Sequence, residues 1–409
     1  MSESFTYKPR LPFLLFLVAV AAIGPLTLNG VLPATSAVMK DLTTRYEVAQ
    51  LVLTVFLIAN LCGQLVLGPA ADRVGRRPVM LLSLLIFIVG SILCAISGSI
   101  EQLLIGRFVQ GAGGAVCVFL PRAIVRDVYP QNRAASVIGY MTTAMMVAPL
   151  FGPATGGWIT DQYSWRWMYA GLAALATLLL LAGWRYQPET LSAFRDSPAE
   201  RRMRPRTSFL ESSMVLLRDA GFIACTCMLA GAVGVYYGFL AGAPYVAMES
   251  RGLSASAYGS WFAMVAVGYL SGNLTAGTLS QRLGVQRMIQ IGFVPFILGV
   301  CLFWLLLPFN HPVSLFLPMM IVAFSNGMSL PSMITVAMSI RPELAASASG
   351  LAGSVQTAFG VLLTLSVGYL LPMGDTWLFV LLSGSALVSV LGLCLSRRQV
   401  PGTSHAPVI

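Results

Sequence analysis

The sequence predicts an all-α membrane protein in which twelve transmembrane helices form two pseudo-symmetric six-helix bundles, with both termini in the cytoplasm. The composition, the number of long apolar runs and an internal repeat predict this fold. Of the 409 residues, 57% are hydrophobic and 10% are charged, and the mean hydropathy is +0.80. Soluble proteins carry roughly 25% charged residues. Because there are too few polar residues to cover soluble domains of this size, most of the chain is expected to face lipid.

The apolar runs have the length that a membrane helix needs, which is about 20 residues. The predicted spans, in chain order, are 11–32, 49–67, 78–96, 103–123, 135–158, 168–184, 222–245, 257–279, 289–307, 315–338, 348–371 and 377–395. They predict a multi-pass protein of the bacterial inner membrane.

The basic residues predict the orientation, because Lys and Arg concentrate in cytoplasmic loops. With the N-terminus inside, only Lys40, Arg45, Arg166 and Arg251 fall outside, and Arg107 falls within a span. The net charge of +10 therefore reflects topology and contact with the lipid bilayer. It does not indicate a nucleic-acid partner.

A hydrophilic linker and an internal repeat divide the chain. The predicted parts are an N-terminal bundle (1–187), a cytoplasmic linker (188–220) and a C-terminal bundle with its tail (221–409). The loop 68–77 and the loop 277–287 repeat a pattern of Gly, polar residue, Arg and Gly, so that Gly75 corresponds to Gly284, 209 residues later. Such repeats are typical of transporters that rock around a site between the repeats. We expect a monomer.

The sequence lacks the motifs of several other activities. Neither lysine, Lys8 or Lys40, lies in a phosphate-binding G-x-x-x-x-G-K-[ST] loop, which argues against ATP as the energy source. His311 and His405 lie outside the apolar runs, and no paired catalytic residues occur at membrane depth. We therefore expect neither an enzyme nor a bound metal or cofactor.

The loop 68–77 combines glycines, an acid and three arginines in a tight turn. It resembles the loop motif G-x-x-x-D-R-x-G-R-R of the major facilitator superfamily and matches every defining position. In that family the charges of this loop hold one conformation and release another. The resemblance implies a conformational latch, and its residues are Gly68, Asp72, Arg73, Gly75 and Arg76. The alternative is a simple positive-inside anchor.

Arg107 is the one clearly intramembrane charge. A central arginine costs about 2.5–3.5 kcal/mol to insert, so it needs a partner or a wet cavity. The run 107–114 resembles the fourth-helix motif of the same superfamily, in which the arginine is linked to proton handling. The alternative is that the side chain of Arg107 reaches the outer surface.

Span five carries a run of glycines and prolines. Prolines bend a helix, and glycines four residues apart let another helix approach closely. The run resembles the antiporter motif of the drug-exporting branch of the superfamily, where it kinks the helix and seals the interface between the halves. The residues implied are Pro149, Gly152, Pro153, Gly156 and Gly157. With 122–129 and 165–167, this motif makes the chain similar to the Bcr/CflA group of drug-resistance exporters.

One position departs from that group, which usually has an aspartate in span one where this chain has Asn29. An amide does not bind and release protons at physiological pH. The nearest carboxylate is Asp127, which we take as the candidate for proton coupling, with Arg107 and Arg122 as modulators. The alternative for Asp127 is a helix-end salt bridge with Arg126 or Arg133, in which case the protein is an exchanger or facilitator without proton coupling.

Polar, aromatic and methionine side chains in the spans are candidates for binding a substrate. They are Asn29, Gln64, Gln110, Met141, Met145, Tyr236, Tyr237, Trp261, Asn326 and Gln356. Because few charges are buried, we expect small, largely apolar or zwitterionic compounds, either drugs or metabolites. The predicted function is secondary active export by alternating access in exchange for protons. The alternative is an uptake permease of the same fold, for a siderophore or nutrient.

Overall fold

The computed structural model describes the backbone of residues 11–129, 137–138, 141, 145, 147–190, 209–341 and 344–399. Its long elements are all helices. In chain order they are α1 (Leu11–Gly30), α2 (Thr35–Asp41), α3 (Tyr46–Ala49), α4 (Leu51–Arg73), α5 (Arg76–Ala95), α6 (Ile100–Val128), α7 (Val147–Gln162), α8 (Trp165–Tyr186), α9 (Phe209–Leu217), α10 (Ala220–Pro244), α11 (Ala255–Leu305), α12 (Val313–Ser339), α13 (Ala345–Leu370) and α14 (Thr376–Gln399).

Eleven helices in the described ranges are long and apolar enough to cross a membrane. They confirm the all-helical, multi-pass character of the chain. The predicted fifth span, 135–158, is described only in part, where it forms α7. The count of twelve and the orientation of the termini stay predictions.

The glycine of the repeated loop has an unusual backbone in both halves. Gly75 separates α4 from α5 at φ +124° and ψ +156°. Gly284 breaks α11 at φ +75° and ψ +162°. It lies near the start of the second of the two candidate spans in that helix, Ala255–Ser280 and Arg282–Leu305. This region of backbone space is accessible essentially to glycine alone. The repeat in the sequence is therefore a repeat of local structure.

The contacts divide the chain into two compact units. The first contains Met1–Arg204 and Pro244–Ala263, and the second contains Pro205–Ala243 and Met264–Ile409. In the first unit, α5 and α6 touch closely at Gly90, where a methyl group would overlap the backbone of Gln110. Close approach at small residues is the usual way in which membrane helices pack. This contact fixes the part of α6 that carries Arg107.

The segment Pro244–Ala263 follows α10 in sequence but belongs to the first unit. It begins with a π-helical turn, Tyr245–Ser250. The rings of Tyr46 and Tyr245 lie 4.4 Å apart between centroids, and Lys40 Nζ lies 3.8 Å from Glu249 Oε1. The segment is thus fastened to the first unit beside α2 and α3.

In the second unit, serine hydroxyls join α14 to α10. Ser385 donates to the carbonyl of Gly231 at 2.8 Å, and Ser389 donates to the carbonyl of Met228 at 2.7 Å. Both serines are buried. In lipid, polar groups of this kind hold neighbouring helices together.

Candidate functional site

Arg107 is buried inside the first unit, with 1% of its surface exposed. Its Nε donates to the carbonyl of Val52 on α4 at 2.9 Å, and its Nη1 donates to Gln110 Oε1 at 2.7 Å. Gln110 Nε2 in turn donates to Ser91 Oγ on α5 at 2.8 Å. The guanidinium lies over the ring of Phe56 at 4.3 Å from the centroid. Arg107 therefore does not extend to the surface but links three helices.

No ion pair among the described residues includes Arg107. Its charge is stabilised by a carbonyl dipole, an amide and the faces of Phe56 and Tyr169, whose ring centroid lies 5.8 Å away. Aromatic faces attract cations because of their quadrupole. A guanidinium stays charged at physiological pH. The network thus holds a permanent positive charge inside the first unit.

The predicted latch contains a salt bridge between α5 and α6. Arg76 Nε lies 3.0 Å from Asp127 Oδ2, and both side chains are largely shielded from water. Thr190 Oγ1 lies 3.4 Å from the same carboxylate oxygen. The sequence predicts Arg76 as a latch residue and Asp127 as the coupling residue, with Arg126 or Arg133 as alternative partners of Asp127. The structure brings Arg76 and Asp127 into one cluster.

Glu189, which is not among the residues predicted from the sequence, completes this cluster. Its two carboxylate oxygens accept hydrogen bonds from the backbone N–H groups of Arg76, at 2.9 Å, and Arg77, at 3.1 Å. These donors lie at the N-terminus of α5, where the helix dipole favours an anion. Arg77 Nη2 also donates to the carbonyl of Trp184 at 2.8 Å. The start of the predicted linker is therefore tied to the latch.

Gly75 is glycine for two independent reasons. Its positive φ disfavours any side chain, and a Cβ there would lie 2.9 Å from Glu189 Cδ and overlap one of the carboxylate oxygens. Glycine at this place in the motif lets the carboxylate reach the helix N-terminus.

We expect Gly75→Ala to destabilise the latch by more than the backbone strain of about 1–3 kcal/mol, because the methyl group also displaces Glu189. The matched control is Gly284→Ala, which has the same strain but nothing within 4 Å. Thermal unfolding in detergent measures both. Glu189→Ala should restore part of the loss in Gly75→Ala, and equal melting temperatures for the two glycine variants would contradict the contact with Glu189.

The other latch and coupling residues occupy various positions. Gly68 lies near the end of α4 beside Phe119, and Arg73 is exposed at the last turn. The side chain of Asp72 lies outside the described residues. Arg122 is half-buried on α6, one turn before Asp127. The roles assigned to these residues stay predictions.

The glycines of the antiporter motif lie against backbone. A methyl group on Gly156 would overlap the carbonyl oxygen of Gly30 at the end of α1, and one on Gly157 would lie 2.5 Å from the carbonyl carbon of Ala255 and overlap its oxygen. A methyl group on Gly259 would likewise lie 2.5 Å from the carbonyl carbon of Pro153.

The remaining residues of the motif support these contacts. Gly152 lies near Gly30, Pro149 is in the first turn of α7, and Pro153 lies inside the helix. Asp161 Oδ2 accepts a hydrogen bond from the N–H of Ser256 at 2.8 Å. The motif thus lets α1 and the start of α11 contact α7 at backbone distance.

The Trp165–Arg166 pair fastens α8 to α2 and to the loop between α5 and α6. Trp165 Nε1 donates to Asp41 Oδ2 at 3.1 Å, and Arg166 pairs with the same carboxylate. Arg166 Nη2 also donates to the carbonyl of Ser97 at 2.9 Å. This network explains why the tryptophan and arginine occur together at the start of α8.

Six candidate substrate residues lie in the first unit. Asn29 is buried and donates to the carbonyl of Pro25 at 2.8 Å, and Gln64 donates to Asn60 at 2.6 Å. Gln110 belongs to the Arg107 network. Met141 and Met145 belong to the buried core, and Trp261 is half-buried.

Four candidates lie in the second unit. Tyr236 and Tyr237 are half-buried neighbours, and a methyl group on Gly360 of α13 would overlap the ring of Tyr237. Asn326 is buried and donates to the carbonyl of Ala232 at 3.1 Å, while its Oδ1 has no hydrogen-bond partner among the described residues. Gln356 is half-buried. Asn326 joins two helices, and its unused acceptor keeps it a candidate for binding.

Comparisons with known proteins identify relatives that match this chain over most of its length. The chain is 29% identical over 388 residues to the multidrug resistance protein D of Escherichia coli (strain K12), covering 92% of this chain and 93% of the relative. It is 28% identical to the chloramphenicol resistance protein of Pseudomonas aeruginosa, covering 97% and 93%. It is 26% identical to a bicyclomycin resistance protein homolog of Haemophilus influenzae, covering 87% and 88%.

The fold is also shared with a solved structure. The xylose transporter XylE from E. coli, in a partially occluded inward-open conformation, superposes with a TM-score of 0.72 at 16% identity, covering 97% of this chain and 99% of that one. The family model of the Major Facilitator Superfamily matches residues 14–365. These matches confirm the resemblance found in the sequence: the chain is a transporter, not an enzyme, and belongs to the major facilitator superfamily.

Proposed function

We propose that this protein exports small, largely apolar or zwitterionic compounds, drugs or metabolites, by alternating access in the bacterial inner membrane. The observation that carries the proposal is the packing of α7, whose Gly156 and Gly157 lie against the backbone of Gly30 and Ala255. The contact between Gly157 and Ala255 joins the predicted N-terminal and C-terminal bundles, which agrees with the seal between the halves that the antiporter motif of drug exporters implies. Relatives named for multidrug, chloramphenicol and bicyclomycin resistance also support export.

The proposed energy source is the proton gradient, without ATP or a bound cofactor. No Asp or Glu lies deep in a predicted span, so the proton has to act at a carboxylate near a membrane surface. Asp127 is the proposed coupling residue because it is largely shielded and pairs with Arg76. A proton on Asp127 would neutralise the carboxylate and weaken this bridge. Proton binding and release of the latch would then be one event.

The buried charge of Arg107 affects which class of compound the protein is expected to transport. Arg107 supplies a fixed positive charge that no described ion pair compensates, which disfavours strongly cationic compounds near it. The candidate residues Asn326, Tyr236 and Tyr237 offer hydrogen bonds and aromatic faces. These groups suit neutral aromatic or zwitterionic cargo better than polyanions.

Transport into inside-out vesicles tests the proposal, with chloramphenicol among a panel of candidate cargoes. We expect an inside-acid gradient to drive accumulation, and a protonophore to abolish it. Arg126→Gln, an exposed change on the same helix as Asp127, is the control variant. Uptake into whole cells without accumulation in inside-out vesicles would contradict export and favour the uptake permease.

Two variants in the same assay separate the roles of Asp127. If Asp127 carries the proton, Asp127→Asn abolishes the dependence on the gradient while ligand binding stays measurable, whereas Arg76→Ala only lowers the rate. Equal losses of rate, with the gradient dependence kept in both variants, would remove Asp127 as the coupling residue and leave it as a latch partner.

A further inference from the structure

A cavity of about 260 Å³ with a mixed polar and apolar lining lies within the second unit, between α10, α11, α12 and α14. Its charged lining residue is Asp219, and its polar lining residues include Gln286, Gln290 and Ser396. Its floor is apolar, with Met228 and Ile289 buried. A second hollow of about 430 Å³ shares Asp219 with it and is also lined by Arg218 and Arg341. The two hollows adjoin at Asp219 and Gly221 and are together called the site, with arginines in one hollow and the carboxylate between them.

The position in the first unit that corresponds to this cavity is occupied by the side chains of Phe16 and Leu81. The repeat that relates Gly75 to Gly284 relates Phe16 to Cys225 and Leu81 to Gln290. In the first unit, Phe16 and Leu81 both lie near Gly183 of α8. A Cβ on Gly183 would be 2.9 Å from Phe16 Cζ and 3.1 Å from Leu81 Cδ2. In the second unit a thiol and an amide replace the ring and the isobutyl group. The cavity therefore arises from two substitutions between equivalent helices.

The charges around the cavity have an ordered arrangement. Asp219 Oδ1 accepts hydrogen bonds from the N–H groups of Gly221, at 2.9 Å, and Phe222, at 3.2 Å. Arg341 Nε lies 3.5 Å from Asp219 Oδ2. A carboxylate offers about four lone-pair sites, so Oδ2 keeps acceptor capacity beyond its pairing with Arg341. Arg218, exposed beside it, adds a second guanidinium.

The site lies at the ends of two candidate membrane spans. It is at the first turn of α10 and the last turn of α12, where these spans end. The preceding helix α9 exposes the apolar side chains of Met214, Val215 and Leu217. Exposed apolar side chains next to arginines are typical of segments at the membrane interface. These features favour a phospholipid as the ligand of this site.

We propose that this site binds the headgroup of an aminophospholipid. Arg218 and Arg341 take the phosphate, because guanidinium groups are suited to phosphate oxygens. Asp219 accepts a hydrogen bond from the primary ammonium through Oδ2. The cavity between Cys225 and Gln290 holds the rest of the headgroup. Because this is a binding site apart from the latch and from the candidate substrate residues, its test does not depend on transport.

Native mass spectrometry of the full chain in detergent, titrated with defined phospholipids, tests the proposal. We expect phosphatidylethanolamine to bind about tenfold or more tightly than phosphatidylcholine, whose trimethylated nitrogen has no N–H to donate. Asp219→Asn should remove this preference and still fold, because asparagine Oδ1 can accept from the same two N–H groups. Equal binding of the two lipids by the unaltered chain would overturn the proposal.

Cavity-filling variants test the position of the site. Cys225→Phe with Gln290→Leu gives the second unit the side chains of the first and should reduce phosphatidylethanolamine binding about tenfold. Arg287→Gln, an exposed change on α11 away from the lining, should leave binding unaltered. Unchanged binding in the filled variant would overturn the proposal.

The same titration distinguishes a lipid from a soluble phosphate ester. We expect O-phosphoethanolamine not to displace phosphatidylethanolamine at equal concentration. Displacement at equal concentration would overturn the assignment to a lipid. Tighter binding of phosphatidylglycerol than phosphatidylethanolamine would overturn the role of the ammonium.

Discussion

Gly157→Ala is expected to lower export on the order of tenfold or more. The methyl group would overlap the carbonyl oxygen of Ala255, and that backbone cannot rotate away as a side chain could. Overpacking of this kind costs about 1–3 kcal/mol, and each 1.4 kcal/mol changes an equilibrium tenfold. Accumulation in inside-out vesicles, measured as an initial rate per molecule of protein, checks the expectation.

The control for this variant is Gly171→Ala, because Gly171 lies in the same unit on α8 with nothing within 4 Å. It should transport at the unaltered rate. Spin labels on the exposed Trp158 and Ser260 positions, in a chain without exposed cysteines, report the separation of α7 and α11. If Gly157→Ala transports normally while the labels move apart, the close packing is not needed for export.

Arg107→Met is expected to reduce transport to the level of vesicles without protein, while the protein still folds. Methionine fills a similar space without a charge, and replacing buried charges by apolar groups is often neutral or stabilising. The cost is one unpaired acceptor, Gln110 Oε1, or about 1–3 kcal/mol. Loss of transport with a melting temperature near that of the unaltered chain would assign the charge to the mechanism.

Arg107→Lys separates charge from geometry. Lysine keeps the charge but lacks the planar fork that reaches Val52 and Gln110 together. We expect partial transport with a shifted dependence on pH. Arg126→Gln on the same helix serves as the surface control. Full transport by Arg107→Met would show that the buried network is structural only.

The sequence predicted the features that depend on composition and periodicity. Long apolar runs have few alternatives to a membrane helix, because lipid leaves backbone groups no other partner. The repeat predicted the equivalence of Gly75 and Gly284, and both have a backbone that favours glycine. The resemblance to the major facilitator superfamily was also correct. These properties follow from short stretches of sequence.

Contacts between distant residues could not be predicted in the same way. Glu189 lies in a polar stretch where an acid is unremarkable, and only the fold brings it to the N-terminus of α5. Asp127 has basic neighbours along the chain, yet its partner in the structure is Arg76 on another helix. The carbonyl of Val52 that holds Arg107 leaves no signature in the side chains. Such partners depend on helix register, which periodicity does not determine.

The grouping of Pro244–Ala263 with the first unit has a consequence for dividing the chain. The polypeptide passes between the units three times, after Arg204, after Ala243 and after Ala263. A cut in the linker removes only one of these connections. A fragment that ends at the linker lacks Ala255, which lies against Gly157, and Ser256, whose N–H binds Asp161. Complementation by two separately expressed halves would therefore require the second fragment to supply part of the first unit's fold.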